Sequence, residues 1–249
     1  MKQTKKLLII AICLLLTFPA TVSSAAEYKV AKNDSLYSLS KLFKTSVLSL
    51  QESNNFYIDS LTPGDKIYVP ARIYKVKKGD SLHKIATKYK VPLKKLKKAN
   101  ASTGNTIVPG EKLILPGIKP KKSDTVISYS KGEVDLLAKL IEAEAGGETQ
   151  QAKIAVGAVV INRVQSGDWA PTIKGVINQR FGQYHQFTPV KIGTINNTPS
   201  AASKRAAWTA MYGSDPSRKA IYYFDNTSTN QWLWAKPQSA QIDDLIFAK

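Results

Sequence analysis

The stretch that decides the fold of the first half is Tyr74-Lys75-Val76-Lys77-Lys78-Gly79-Asp80-Ser81-Leu82. A copy stands 46 residues earlier, with Tyr28-Lys29-Val30 and then Asp34-Ser35-Leu36. Working outward at that offset, Asn54 meets Asn100, Pro63-Gly64 meets Pro109-Gly110, and Val69-Pro70 meets Leu115-Pro116, without a gap. Register kept over this length marks one small structural unit used twice. In each copy the Tyr-Lys-Val alternation predicts a short strand. Asp34 or Asp80 is expected to cap a helix carrying Leu36, Leu39 and Phe43, or Leu82, Ile85 and Tyr89. A second short helix ends near Asn54 or Asn100, and Pro-Gly turns the chain into a last strand over 66–69 or 112–115. The predicted order is strand, helix, helix, strand, over 27–71 and again over 72–117.

The pattern Tyr-x-Val-x-x-Gly-Asp-Ser-Leu resembles the hallmark of LysM modules. The first copy has Asn33 where the second has Gly79, and Asn also tolerates a left-handed backbone. The resemblance implies βααβ modules that bind N-acetylglucosamine-containing glycans in a shallow groove between the loop after the first strand and the loop before the last. The implied groove residues are Asp34, Ser35 and Leu36 with loop 57–61 in the first copy. In the second they are Gly79, Asp80, Ser81 and Leu82 with Asn105, Thr106 and Ile107. Two weak binders on one chain gain by effective concentration on a repetitive polymer.

Charge separates this half from the next. Net charge is +13 over 27–122 and +2 over 123–249. A basic front half points to an anionic surface, and a bacterial wall with its polyanionic polymers fits better than nucleic acid, since the aromatic-rich half is nearly neutral. The chain opens Met1-Lys2-Gln3-Thr4-Lys5-Lys6, continues in an apolar run from Leu7 to Phe18, and reaches Ser24-Ala25-Ala26. This is the order of a secretory signal peptide over 1–26, and the run is short for a membrane span. Secretion to the wall or spore envelope is expected, with no membrane partner after cleavage. The only cysteine, Cys13, would leave with it, which excludes disulfides and thiolate chemistry from the mature chain. With only His83 and His185, a zinc peptidase is disfavoured, and neither a metal nor an organic cofactor is expected. Lys119-Pro120-Lys121-Lys122-Ser123 reads as an exposed linker within 118–130.

In the remaining 131–249, Val134, Leu137, Leu140 and Ile141 recur at helical spacing, and Glu144 continues the row of Leu137 and Ile141. A carboxylate on an apolar helix face is the odd residue. Gly146-Gly147 places it in the last turn, where the helix dipole and burial both disfavour ionisation. A carboxylic acid still protonated near neutrality suits the general acid of glycosidic cleavage. A buried glutamate satisfied by Arg163 is the structural alternative, and Glu142 reads as solvated. The next helix, 150–163, ends in Asn162 and Arg163, placed to orient Glu144 or touch substrate. Aromatic and amide side chains then cluster: Gln186 and Phe187, Tyr222 and Tyr223, and Trp232 and Trp234, the last two on one face if that stretch is a strand. Such surfaces suit sugar rings, with apolar faces and hydroxyl edges.

Taken in order, Glu144-Ala145-Gly146-Gly147-Glu148, Ala155-Val156-Gly157-Ala158-Val159 with Asn162-Arg163, Gln186-Phe187-Thr188-Pro189, and Tyr222-Tyr223-Phe224 through Trp232-Leu233-Trp234 resemble the catalytic domain of the spore-cortex-lytic, SleB-type cell wall hydrolases. The resemblance implies an α+β fold overall, two βααβ modules followed by a lysozyme-like α+β domain. It also implies lytic transglycosylase action on peptidoglycan between N-acetylmuramic acid and N-acetylglucosamine, with Glu144 as the acid. Stretch 178–185 is longer than usual for the family, and LysM-like repeats stand where familiar members carry a different wall-binding domain. Hydrolysis by a muramidase or glucosaminidase stays open and needs a second acid, such as Glu148 or Asp225. A non-catalytic wall-binding protein is the rival from another class.

Overall fold

The computed structural model describes residues 26–54, 61–101 and 106–249. The expected signal peptide, loop residues 57–60 and the groove candidate Asn105 lie outside the described residues. The first module runs β1 (Ala26–Lys29), α1 (Leu36–Phe43), α2 (Val47–Asn54) and β2 (Lys66–Val69). The second runs β3 (Arg72–Lys75), α3 (Leu82–Tyr89), α4 (Leu93–Ala99) and β4 (Lys112–Leu115). Each closes as an antiparallel two-stranded sheet, with Tyr28 opposite Ile67 and Tyr74 opposite Leu113. The turn before α1 takes Asn33 at φ 67°, and Gly79 occupies the same place at φ +84°.

One local expectation is corrected. The residues that cap α1 and α3 are Ser35 and Ser81, whose hydroxyls accept from the Ser38 and Lys84 amides. Asp34 and Asp80 turn inward, accepting from the Tyr28 and Tyr74 hydroxyls at 2.6 and 2.7 Å and from the Ala31 and Lys77 amides. The aligned asparagines gain a reason. Asn54 and Asn100 each accept from and donate to the last strand while donating back to their own helix, which clasps the second helix to the sheet.

The segment expected as an exposed linker is held at several points. The Arg72 amide donates to Ile118, Arg72 pairs with Asp124 at 2.6 Å, and the Val126 amide donates to Met211. The C-terminal domain continues with α5 (Lys131–Ala145), α6 (Gln150–Ser166), α7 (Ile173–Asn178), a short hairpin of β5 (Arg180–Phe181) and β6 (Tyr184–His185), and α8 (Thr188–Ile192). Then follow α9 (Ala201–Met211), β7 (Tyr222–Asp225), α10 (Gln231–Trp234), β8 (Gln238–Ile242) and β9 (Leu245–Ala248). Helices α5, α6 and α9 pack pairwise around the core, and the sheet is antiparallel in order β7-β9-β8. The small residues of α6 set this packing. A Cβ on Gly157 would lie 2.9 Å from Ile141 Cδ1 and 3.2 Å from Ala210 Cβ. The whole is α+β. Among the described residues no helix is long and apolar enough to cross a membrane.

Candidate active site

Glu144 sits in the last turn of α5, on the row that buries Leu137 and Ile141, and is half-buried at the mouth of a cleft. The cleft, about 630 Å³, is lined by Glu142, Glu144, Thr188, Pro189, Thr194 and Asn197 among others. Burial pushes the Glu144 carboxyl above its ordinary value, while a hydrogen bond from Tyr223 and the nearby Arg163 charge pull the other way without prevailing. The Tyr223 phenol, packed on Phe187 and Phe247, is pushed well up by burial and by the Glu144 charge.

Arg163 leaves the end of α6 into a box of rings. Its guanidinium lies 4.0 Å from the Trp169 centroid, 5.2 Å from Phe187 and 5.8 Å from Tyr222, and its Nε donates to Ile221 at 2.7 Å. Desolvation pushes it down to about 10, so it stays cationic at neutral pH. It forms no ion pair with Glu144, and its buried Nη1 has no hydrogen-bond partner, so the satisfied Arg163–Glu144 pair is absent. The Tyr223 hydroxyl is likewise buried; it faces the Glu144 carboxyl and is electrostatically coupled to it, but makes no well-aligned hydrogen bond.

The other cleft carboxylate is different in kind. Glu142, read as solvated, accepts from the Ser200 amide at 3.0 Å and hydroxyl at 2.6 Å, tying α5 to the start of α9. Burial alone would raise it, but the bonds from Ser200 and Ser203 hold it low, so the two cleft carboxyls are shifted in opposite directions. Glu148 lies beyond Gly146-Gly147, where burial and the charges of Asp243 and Asp244 raise it. Lys153, buried at 3 % exposure, donates to the Glu148 carbonyl.

Several expected contacts are placed elsewhere. Asn162 is buried and donates to Ala220 and Asp215, and Phe187 is buried behind Arg163, so both support the site from within. Gln186 stays half-exposed. Trp232 and Trp234 lie on a one-turn helix, not a strand, because Asn230 caps the amides of Trp232 and Leu233. That separates them. Trp234 packs on Phe224 and donates to Ser228, while Trp232 is 56 % exposed and stands edge-on to Tyr222 at 5.4 Å. Phe181, Trp169, Tyr222 and Trp232 thus form a chain of edge-to-face rings, joined to Arg163 through Trp169. Trp169 was not singled out in the sequence, where it is a lone aromatic after the α6 cap, and neither were Thr194, Asn197 and Ser200. In the repeats, Leu36 and Leu82 are core residues with no surface to offer a sugar. Asp34 and Asp80 are committed to their tyrosines, whereas Ser35, Gly79, Ser81, Thr106 and Ile107 keep some exposure. Among the described residues, no group of three or more His, Cys, Asp or Glu side chains is placed to hold a metal ion.

The Cell Wall Hydrolase family profile matches residues 147–248, and the LysM domain profile matches 28–70 and 74–116. The cell wall hydrolase CwlJ of Bacillus subtilis strain 168 is 31% identical over 103 residues, covering 40% of this chain and 71% of that protein. The chain belongs to the cell wall hydrolase family. The spore cortex-lytic enzyme of Bacillus cereus is 38% identical over 122 residues, 49% of this chain and 46% of that enzyme. The match thus spans less than half the length of that relative. The solved catalytic domain of the germination-specific lytic transglycosylase SleB from Bacillus anthracis is 36% identical, with a TM-score of 0.45, covering 49% of this chain and 98% of that one. The family match opens at residue 147, just past Glu144, so what sets Glu144 apart from the other acids is its geometry.

Proposed function

We propose that this protein is a wall-retained enzyme that cleaves the glycan strands of peptidoglycan as a lytic transglycosylase, with Glu144 as its single acid and base. The observation that carries the reading is the contrast inside one cleft. Burial holds the Glu144 carboxyl above its ordinary value, and the only other carboxylate lining the cleft among the described residues, Glu142, is occupied by Ser200 and held low. Protonated Glu144 gives its proton to the oxygen bridging N-acetylmuramic acid C1 and N-acetylglucosamine as that C1–O bond breaks. The resulting carboxylate is stabilised by the Tyr223 hydroxyl and the Arg163 charge. It takes the proton of the muramoyl 6-hydroxyl, whose oxygen bonds to C1 and closes a 1,6-anhydro ring. The attacking oxygen belongs to the substrate, so a second protein carboxylate is not needed. The exposed rings of Phe181 and Trp232 offer apolar surface to the strand. The LysM domains hold the enzyme on the wall. The names of the relatives support the spore cortex as a substrate, and the signal-like first residues support export.

Mass spectrometry of fragments released from purified peptidoglycan by the full chain and by Glu144→Gln tests this. Anhydro-muramoyl ends that disappear in the variant are expected. Reducing ends would replace transglycosylation by hydrolysis, with Glu142 as the second acid to test. Retained binding without fragments, from either wall or cortex, would leave a wall-binding protein.

A further inference from the structure

The two LysM domains share a backbone and differ in charge. Strand register, the Tyr–Asp hydrogen bond and the asparagine clasp are common to both. Residues 28–70 hold five lysines and four carboxylates, net +1, whereas residues 74–116 hold eleven lysines and two carboxylates, net +9. The first domain is therefore an internal control, since the fold forms without the charge. A field of one sign repels itself and opposes compaction, so the second domain carries it against its own stability.

The charge is available to a partner. Lys77, Lys78, Lys84, Lys88, Lys94 and Lys95 are exposed on the loop before α3 and on the outer surfaces of α3 and α4. Among the described residues, the lysines of this domain make one ion pair, Lys98 with Asp34 of the first domain at 3.2 Å. Around the sheet, the cross-strand pair Lys75 and Lys112 lines a cavity of about 590 Å³ together with Arg218 and Lys219 of the C-terminal domain, where Asp124 and Asp215 offset part of the charge.

Three features define the partner. Every one of these cations in 74–116 is lysine, a point charge on a flexible stem, and the rigid forks with which arginine reads a planar anion are absent. Such a surface follows charge density along a polymer rather than the shape of one group, and it gains by releasing counterions from closely spaced charges. It has no stacking platform, because Tyr74 is buried and Tyr89 is half-buried, with the Lys88 and Arg72 cations each 5.5 Å from its ring. A densely charged polymer without bases fits, and on a chain with LysM domains the wall supplies one. We propose that the second LysM domain binds the polyol-phosphate polymers of the bacterial wall. The proposal rests on the wall association argued above, but not on the cleavage.

The test is cosedimentation of the full-length Glu144→Gln chain, which leaves the wall intact, with walls that keep their phosphate polymers and with the same walls after those polymers are extracted. Retention on intact walls is expected to exceed that on stripped walls by about 10-fold at low salt. Replacing Lys77, Lys78, Lys94 and Lys95 with Gln, with unchanged melting, is expected to make the log–log salt dependence shallower by roughly 3. Equal, salt-sensitive retention on both walls would overturn the proposal in favour of the carboxylates of the peptide stems. Single-stranded DNA competing better than free polyol phosphate would overturn it in favour of nucleic acid. Because binding is read with an inactive chain, failure here leaves the cleavage reading standing, and failure of cleavage leaves this result standing.

Discussion

At the scale of the residue, the cleft shifts two glutamates two positions apart in opposite directions. Glu142 makes its bonds across to Ser200 and is held low, whereas Glu144 is buried against Tyr223 and is held high. A raised carboxyl has a consequence for stability that is separate from turnover. Because its folded pKa lies above its unfolded one, Glu144 contributes stability below the unfolded value, and that contribution is lost as pH rises through the folded value. As pH rises through the folded value, the protein comes to carry a partly buried carboxylate. Glu144→Gln keeps the shape and removes the charge, so the variant should melt at or above the wild-type temperature at pH 7. The advantage should shrink toward pH 4, where both side chains are neutral. Melting curves at the two pH values check this, and a variant less stable than wild type at pH 7 by as much as at pH 4 would show that burial does not govern this carboxyl.

At the scale of the element, the asparagine clasp shows how a short module without a large core holds together. Asn100 joins α4 to β4 by accepting from Ile114 at 2.7 Å and donating to Ile114 and Leu96 at 2.9 and 2.8 Å. Its removal leaves strand and helix groups without partners in a part-buried place, so Asn100→Ala should destabilise the second module by about 2 kcal/mol, read by chemical denaturation. The aligned Asn54 and Asn100 were visible in the sequence, but their role was not, since their partners lie 14 residues on. The same division runs through the chain. Elements with their own periodicity, the βααβ order and the row Leu137, Ile141, Glu144, are legible because neighbours at fixed spacing decide them. Ser200 meets Glu142 across 58 positions, and Asp243 meets the Thr149 amide across 94, so no local pattern announces either. The tryptophans mislead for a local reason. Alternation suits a strand, but one asparagine at 230 supplies a helix cap, and the cap prevails.

At the scale of the molecule, the LysM half and the C-terminal domain are joined by a buried contact. The repeats offer a comparison again, because the residue equivalent to Ile114 in the first copy is Tyr68. Ile114 is half-buried, whereas Tyr68 is 5 % exposed and belongs to the same apolar cluster as Met211 and Ala210 of α9. Burial raises its hydroxyl, which bonds to Ser214 just past the turn that ends α9. The Arg72–Asp124 pair pins the connection nearby, with both side chains largely buried. A buried aromatic truncated to alanine loses about 3–5 kcal/mol of packing. Here that loss falls on the contact between domains rather than on either core. Tyr68→Ala should therefore split a single calorimetric transition into two, with the C-terminal domain melting at nearly its original temperature. It should also slow release of fragments from insoluble wall more than cleavage of short soluble strands, since only the former needs the bound modules to present the cleft at a fixed orientation. One unchanged transition in the variant would mean that the helices and the 118–130 segment hold the two halves together without Tyr68.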